Sequence, residues 1–219
     1  MPQGSRDGNS DVVLFVGSGS TAAVCKLVQV LGLNTVLPRG TPVEDRPVVF
    51  VGPHEHHSNL LPWRESAADV VVIAEDPITG GLDLDDLTRC LVACADRRLK
   101  IGSFAAASNV TGIVEDADAV TVCLHKHGAL ACWDYATAAP YMPVDMNPYI
   151  AGEDRALAYK DAVFLSPHKL VGGPGAPGIL IAKKRLFDNA VPSAPGGGTV
   201  FFVTDDAHRY DERRARTTL

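Results

Sequence analysis

Near the C-terminal third of the chain, "FLSPHKLVGGPGAPGILIAKK" (residues 164–184) places Ser166, His168 and Lys169 within four positions, after an apolar run and before a string of glycines and prolines. A lysine in a partly desolvated pocket has a lowered pKa, and its amine can then attack an aldehyde and form a Schiff base. Four other stretches carry groups that could act with it. "GSGST" (17–21) follows an apolar run and opens a helical one, so Gly19, Ser20 and Thr21 could cradle an anion at a helix N-terminus. It lacks the GK[ST] of a Walker loop and the third glycine of GxGxxG. "HEHHSN" (54–59) offers His56, whose flat ring could lie over an aromatic cofactor; the histidines are not at HExxH spacing, so no metal is expected. Asp134 ends the apolar "ALACWD", where a buried carboxylate needs a cation such as a pyridinium nitrogen. Asn109 in "AASNVTG" could donate to a phenolate oxygen or a substrate carboxylate. Each has an ordinary reading: a glycine-rich turn, polar loop histidines, a capping aspartate, a turn asparagine and a solvated lysine.

The elements that would position these groups are legible as an alternation. Apolar runs at 11–17, 47–52, 69–75, 99–107, 129–134, 161–166, 178–184 and 199–204 read as strands, most without polar alternation and so buried on both faces. Residues 21–32, 82–97 and 115–128 have apolar residues at helical spacing; the latter two begin acidic and end basic, as the helix dipole prefers. Alternation with short connections implies an α/β fold with a mixed, mostly parallel sheet between helices. Run 178–184 should be antiparallel, because too few residues separate it from 161–166 for a helical crossover. Ligands in such sheets bind beyond the C-terminal strand ends, and all five candidate groups follow strands. Together, an anion cradle, a flat ring, a carboxylate, an amide donor and a lysine meet the needs of pyridoxal phosphate.

Bulk properties narrow the field. The 219 residues suffice for one α/β domain over about 11–204, with residues 1–10 expected disordered and 205–219 a charged tail. The net charge of −6 argues against nucleic acid as the main partner. No apolar run spans a bilayer and the first ten residues lack a signal-peptide core, so a cytoplasmic protein is expected, with no membrane partner. The five cysteines form neither a disulfide framework nor a metal pattern and suit a reducing compartment.

The motifs "EHHSN", "WDYA" and "SPHK" with its glycine-rich follower, in this order and spacing, resemble the class V aminotransferases, which include cysteine desulfurases, selenocysteine lyases, kynureninases and isopenicillin-N epimerase-like proteins. The resemblance runs from about Val12 to about Thr204. It implies the large domain of aspartate aminotransferase type (fold type I, with a seven-stranded type of sheet), pyridoxal 5'-phosphate as cofactor, and a small amino acid as substrate. Lys169 would form the internal aldimine, Asp134 would face the pyridine nitrogen and His56 would stack on the ring. Gly19, Ser20, Thr21, Ser166 and His168 would hold the phosphate, with Asn109 near the phenolate oxygen. Thr137 stands where relatives reach that oxygen with Gln or His. Thr199, by "PGGGT", would reach the neighbouring subunit's phosphate, implying a homodimer with shared sites. Cysteine desulfurase or selenocysteine lyase chemistry leads, ahead of transamination or epimerisation; the alternative is a non-catalytic or truncated cofactor-binding domain. Relatives continue into a small domain carrying the carboxylate-binding arginine and, in desulfurases, the sulfur-accepting cysteine, so the chain is expected to be truncated.

Overall fold

A computed structural model of the chain describes residues 10–210; the expectations for residues 1–9 and 211–219 lie outside them. In chain order the elements are β1 (Asp11–Val16), α1 (Gly19–Val30), β2 (Val48–Val51), α2 (His57–Arg64), β3 (Asp69–Val72), α3 (Leu84–Ala93) and β4 (Lys100–Ala105). There follow α4 (Ala117–Lys126), β5 (Leu130–Asp134), β6 (Ala162–Leu165), β7 (Gly178–Lys183), β8 (Val200–Val203) and β9 (His208–Tyr210).

Seven strands make one sheet in the order β1-β7-β6-β5-β4-β2-β3, the α/β sheet between helices that the alternation predicts. The neighbours from β3 through β6 are parallel, and β7 is antiparallel to both β6 and β1, as the short 166–177 connection requires. Period-two alternation then sends side chains to two cores. Val48, Phe50, Trp133 and Val163 pack under Leu87, Leu91 and Leu124 of α3 and α4 on one face. Val49, Val51, Cys132 and Phe164 pack with Val24, Leu27 and Trp63 of α1 and α2 on the other. Both faces being apolar is why the central strands read as unbroken runs.

The edges depart from that pattern. In β1, Val13 and Phe15 are 55% and 59% exposed while Leu14 is buried, and Val72 of β3 is 53% exposed, because an edge strand has covering helices on fewer sides. The run 199–204 is a strand but not of the main sheet: β8 pairs with β9 in a separate hairpin, so the first part of the expected tail is ordered structure. α3 ends at Ala93, short of the basic residues expected at its end; Arg97 instead pairs with Asp69 at 2.7 Å. Its start does follow expectation, with Asp83 accepting from the Asp85 and Asp86 amides. α2 was not predicted: it is eight residues long, contains Pro62, and lacks a sustained apolar stripe.

Candidate active site

Because β1, β2, β4, β5 and β6 run the same way, their C-terminal ends, the start of α1 and the start of β7 meet at one edge of the sheet. A cavity of about 190 Å³ opens there, lined by Gly19, Ser20, Thr21, His56, Asn109, Asp134, Thr137, Ser166, His168 and Lys169, together with Ser18, Ser58 and three alanines. Ten of the eleven residues predicted from sequence are thus brought together.

Asp134 is the last residue of β5, 4% exposed, level with Ala105 of β4 and Phe164 of β6. Its Oδ1 accepts from the Ala136 amide at 2.8 Å, and the Ser20 hydroxyl lies near enough to favour its charged form. Burial raises its pKa; the Ala136 bond, the charges of Lys169 and His56 and the Ser20 hydroxyl oppose this. A carboxylate placed so answers a cation brought into the cavity.

The anion end is built from backbone. The N-cap of α1, Ser18, makes no side-chain capping bond, so the helix start keeps the donors an anion uses. Gly19 has φ +61, a conformation that favours glycine. A β-carbon there would lie 2.8 Å from His168 Cε1 and 3.1 Å from Ser166 Oγ, so the missing side chain leaves the cradle open. The Ser20 amide donates to Ser166 Oγ at 2.8 Å, tying α1 to the turn after β6. Thr21 Oγ1 donates to Ser58 Oγ at 2.7 Å.

His56 caps α2: the Ser58 amide donates to its Nδ1 at 3.1 Å. An amide can only donate, so that nitrogen carries the lone pair and the neutral ring keeps its proton on Nε2. Glu55, beside it, is bonded inward to Gly52, Ala105 and Asn59.

One expectation needs correction: Lys169 does not end a buried strand but lies in the one-turn 3-10 segment Pro167–Lys169 after β6, and it is exposed among the described residues. Thr199, expected at the neighbouring subunit's site, does not line this chain's own cavity: it is 3% exposed, and its hydroxyl donates to Gly196 O at 2.7 Å in its own turn. Sequence reasoning also missed Ser18, Ser58 and Ala105, Ala107 and Ala136. The small-residue run "FAAAS" after β4 was the available signal, since small side chains leave room for a flat ring. Gly178, which a β-carbon would drive to 2.1 Å from Gly19 O, had no signal at all, because its partner lies 159 positions away.

These donors fit pyridoxal phosphate: an uncapped helix start with an open glycine cradle at one end, a buried carboxylate on the floor, and a lysine at the rim.

Known proteins share this framework. Residues 9–217 match the family described as Aminotransferase class-V. A probable cysteine desulfurase 2 of Mycobacterium leprae is 29% identical over 93% of this chain and 47% of its own length. A probable cysteine desulfurase of Staphylococcus epidermidis is 33% identical over 71% of this chain and 35% of its own. Solved structures of cysteine desulfurases from Escherichia coli and Thermococcus onnurineus NA1 superpose with TM-scores of 0.69 and 0.70, each at 24% identity. They cover 94% and 95% of this chain and 46% of their own. The chain therefore spans about half the length of the relatives it matches, and its fold is that of the fold type I large domain.

Proposed function

The chain belongs to the class-V aminotransferase family, and from that premise we propose that its cavity takes pyridoxal 5'-phosphate for a reaction on a small amino acid, with cysteine desulfurase or selenocysteine lyase-like cleavage foremost. The observation that carries this reading is Asp134 and Lys169 lining one cavity, the lysine's charge acting on the buried carboxylate.

When bound, the cofactor supplies an electron sink for the pair left at the substrate Cα. Asp134 would face the ring nitrogen and hold its proton. The start of α1, with Ser166 and His168, would hold the phosphate; an incoming anion would compete there with the Ser20–Ser166 and Thr21–Ser58 bonds. His56, held in place by its capping bond to Ser58, would lie against the ring. Asn109 and Thr137 would reach the phenolate oxygen side. Lys169 Nζ would hold the cofactor and move the proton at the substrate Cα. Because Lys169 is exposed here, exclusion of water falls to a neighbouring chain or a further domain, and we place this protein in a cytoplasmic homodimer with Thr199 turned toward the partner's site.

A second reading, a cofactor-binding unit without turnover, is favoured by one observation: no arginine lines the cavity among the described residues, so the substrate carboxylate has no guanidinium anchor within it.

Adding pyridoxal phosphate to the purified chain and reducing with borohydride tests the site. A visible band and a modified Lys169 peptide are expected, both lost in Lys169→Ala, whose melting should match the parent because the side chain is exposed. An unchanged spectrum in that variant would remove the central claim.

A further inference from the structure

Behind the cavity wall lies a buried polar network that the proposed reaction does not use. Asn59 is fully buried, and its Oδ1 accepts from Trp63 Nε1 at 3.3 Å and Ser103 Oγ at 2.7 Å. Indole can only donate, so the orientation of the amide is set and Nδ2 must face Glu55. It donates to Glu55 Oε2 at 2.7 Å. Glu55 Oε1 accepts from the Gly52 amide at 3.2 Å and from Ala105 at 2.9 Å. All three partners are donors, and a β-carbon at Gly52 would fall 2.8 Å from Oε1, so the contact needs a glycine there.

We propose that Glu55 is a positioning residue of the site: its carboxylate joins the chain beyond β2, the end of β4 and the first turn of α2, and so fixes His56 at the cavity wall. Gly52 directly follows β2, Ala105 ends the neighbouring parallel β4 level with Asp134, and His56 is the next residue in the chain after Glu55. Removing the carboxylate leaves two backbone amides and the Asn59 amide without acceptors at once, and the loop bearing His56 loses its attachment to the sheet.

The role is also linked to protons. Burial pushes the Glu55 carboxyl up to about 7, with the Asp134 charge adding to the rise and the Asn59, Ala105 and Gly52 bonds opposing it. The titratable groups about it are Asp134 from β5, His54 and His56 on its own loop, and Glu115, which shares its crevice from the segment before α4. Loss of the proton strengthens all three bonds, so His56 is held most firmly above neutrality.

The part of this proposal that concerns the cofactor rests on the reading of the cavity given above; the part that concerns His56 does not, and the test separates them. In ¹⁵N-labelled chain without cofactor, the Gly52 and Ala105 amide signals should move with a midpoint near pH 7, and Glu55→Gln should abolish that movement. Glu55→Ala should shift the Ser58 amide, which reports the His56 cap. It should also weaken pyridoxal phosphate about tenfold, the scale of one charge-assisted hydrogen bond, while Lys169 stays reactive to borohydride fixation. Glu55→Gln, which keeps the volume, serves if the alanine variant does not fold. A folded Glu55→Ala or Glu55→Gln chain with unmoved Ser58 signal and unchanged affinity overturns the proposal. If the parent chain takes up no cofactor, the reading of the cavity fails alone, and the amide signals still uphold or overturn the role of Glu55.

Discussion

Replacing Gly178 with alanine is the sharpest test of how the anion cradle is held. Gly178 begins β7, pairs with Val16 at the end of β1, and donates its amide to Gly17 O at 2.7 Å. Its missing side chain is the space taken by the start of α1: a β-carbon would lie 2.1 Å from Gly19 O, 2.8 Å from Gly19 C and 2.9 Å from Gly19 N. All three are backbone atoms, so no rotamer change relieves the overlap, and the loop must retreat by about 1 Å to restore ordinary contact. That retreat pulls the Ser20 amide from Ser166 Oγ, a buried 2.8 Å bond. Overpacking costs about 1–3 kcal/mol and a buried donor left unpaired about 1–3 kcal/mol, so a loss of roughly 2–6 kcal/mol is expected. For a chain of this size that is about 4–24 °C in melting temperature. Circular dichroism melts of the two proteins would measure it, with pyridoxal phosphate affinity falling in parallel. Gly197→Ala is the control, since nothing lies within 4 Å of its β-carbon position, and it should stay within about 0.5 kcal/mol of the parent. A Gly178→Ala chain that melts within 2 °C of the parent (a margin of about 1 kcal/mol at most) and binds cofactor as well would refute the reasoning.

Other expectations follow from the buried charges. Burial raises the Asp134 pKa, so the folded chain holds a proton that the unfolded chain releases; cofactor-free stability should therefore fall as pH rises from the ordinary carboxylate range upward. Asp134→Asn should lessen that slope in urea titrations run upward from the ordinary carboxylate range while weakening cofactor binding, and a slope left unchanged would count against the assignment. Asp161 is fully buried and accepts from the Ala131 amide at 2.8 Å, from His125 Nε2 at 2.9 Å and from Arg185. Asp161→Ala should cost about 3–5 kcal/mol, because it strands buried partners. Lys126→Ala, breaking a half-exposed pair with Asp154, should cost under about 1 kcal/mol, and equal urea midpoints for the two variants would sink the comparison.

Much of the site was legible because the fold puts chemistry where strands stop. The unbroken apolar runs marked β2, β4, β5 and β6, and His56, Asn109, Asp134 and Ser166–Lys169 all sit at or just past their ends, so ordering the strands was enough to assemble them. The antiparallel sense of β7 was readable for a similar reason: twelve residues, 166–177, cannot carry a helical return. β8 misled, because "TVFFVT" has strand chemistry whether it joins the large sheet or pairs locally with His208–Tyr210. Composition favours extended backbone and says nothing of the partner.

Sequence by itself determined the kinds of groups available and their order: an anion cradle, a ring, an amide, a carboxylate, a lysine. It did so because each is tied to a local signal, a turn or strand end that short-range sterics and hydrogen bonding enforce. Tertiary structure alone decided how those groups are held. β7 lies between β1 and β6, which sets Gly178 against Gly19 and Ser166 against the Ser20 amide. β2 lies beside β4, which lets one carboxylate, Glu55, join both strands behind His56. The exposure of Lys169 also follows from packing around it. Contacts across more than a hundred residues leave no periodic trace in the chain, because close packing is satisfied by shape, which only the assembled sheet supplies.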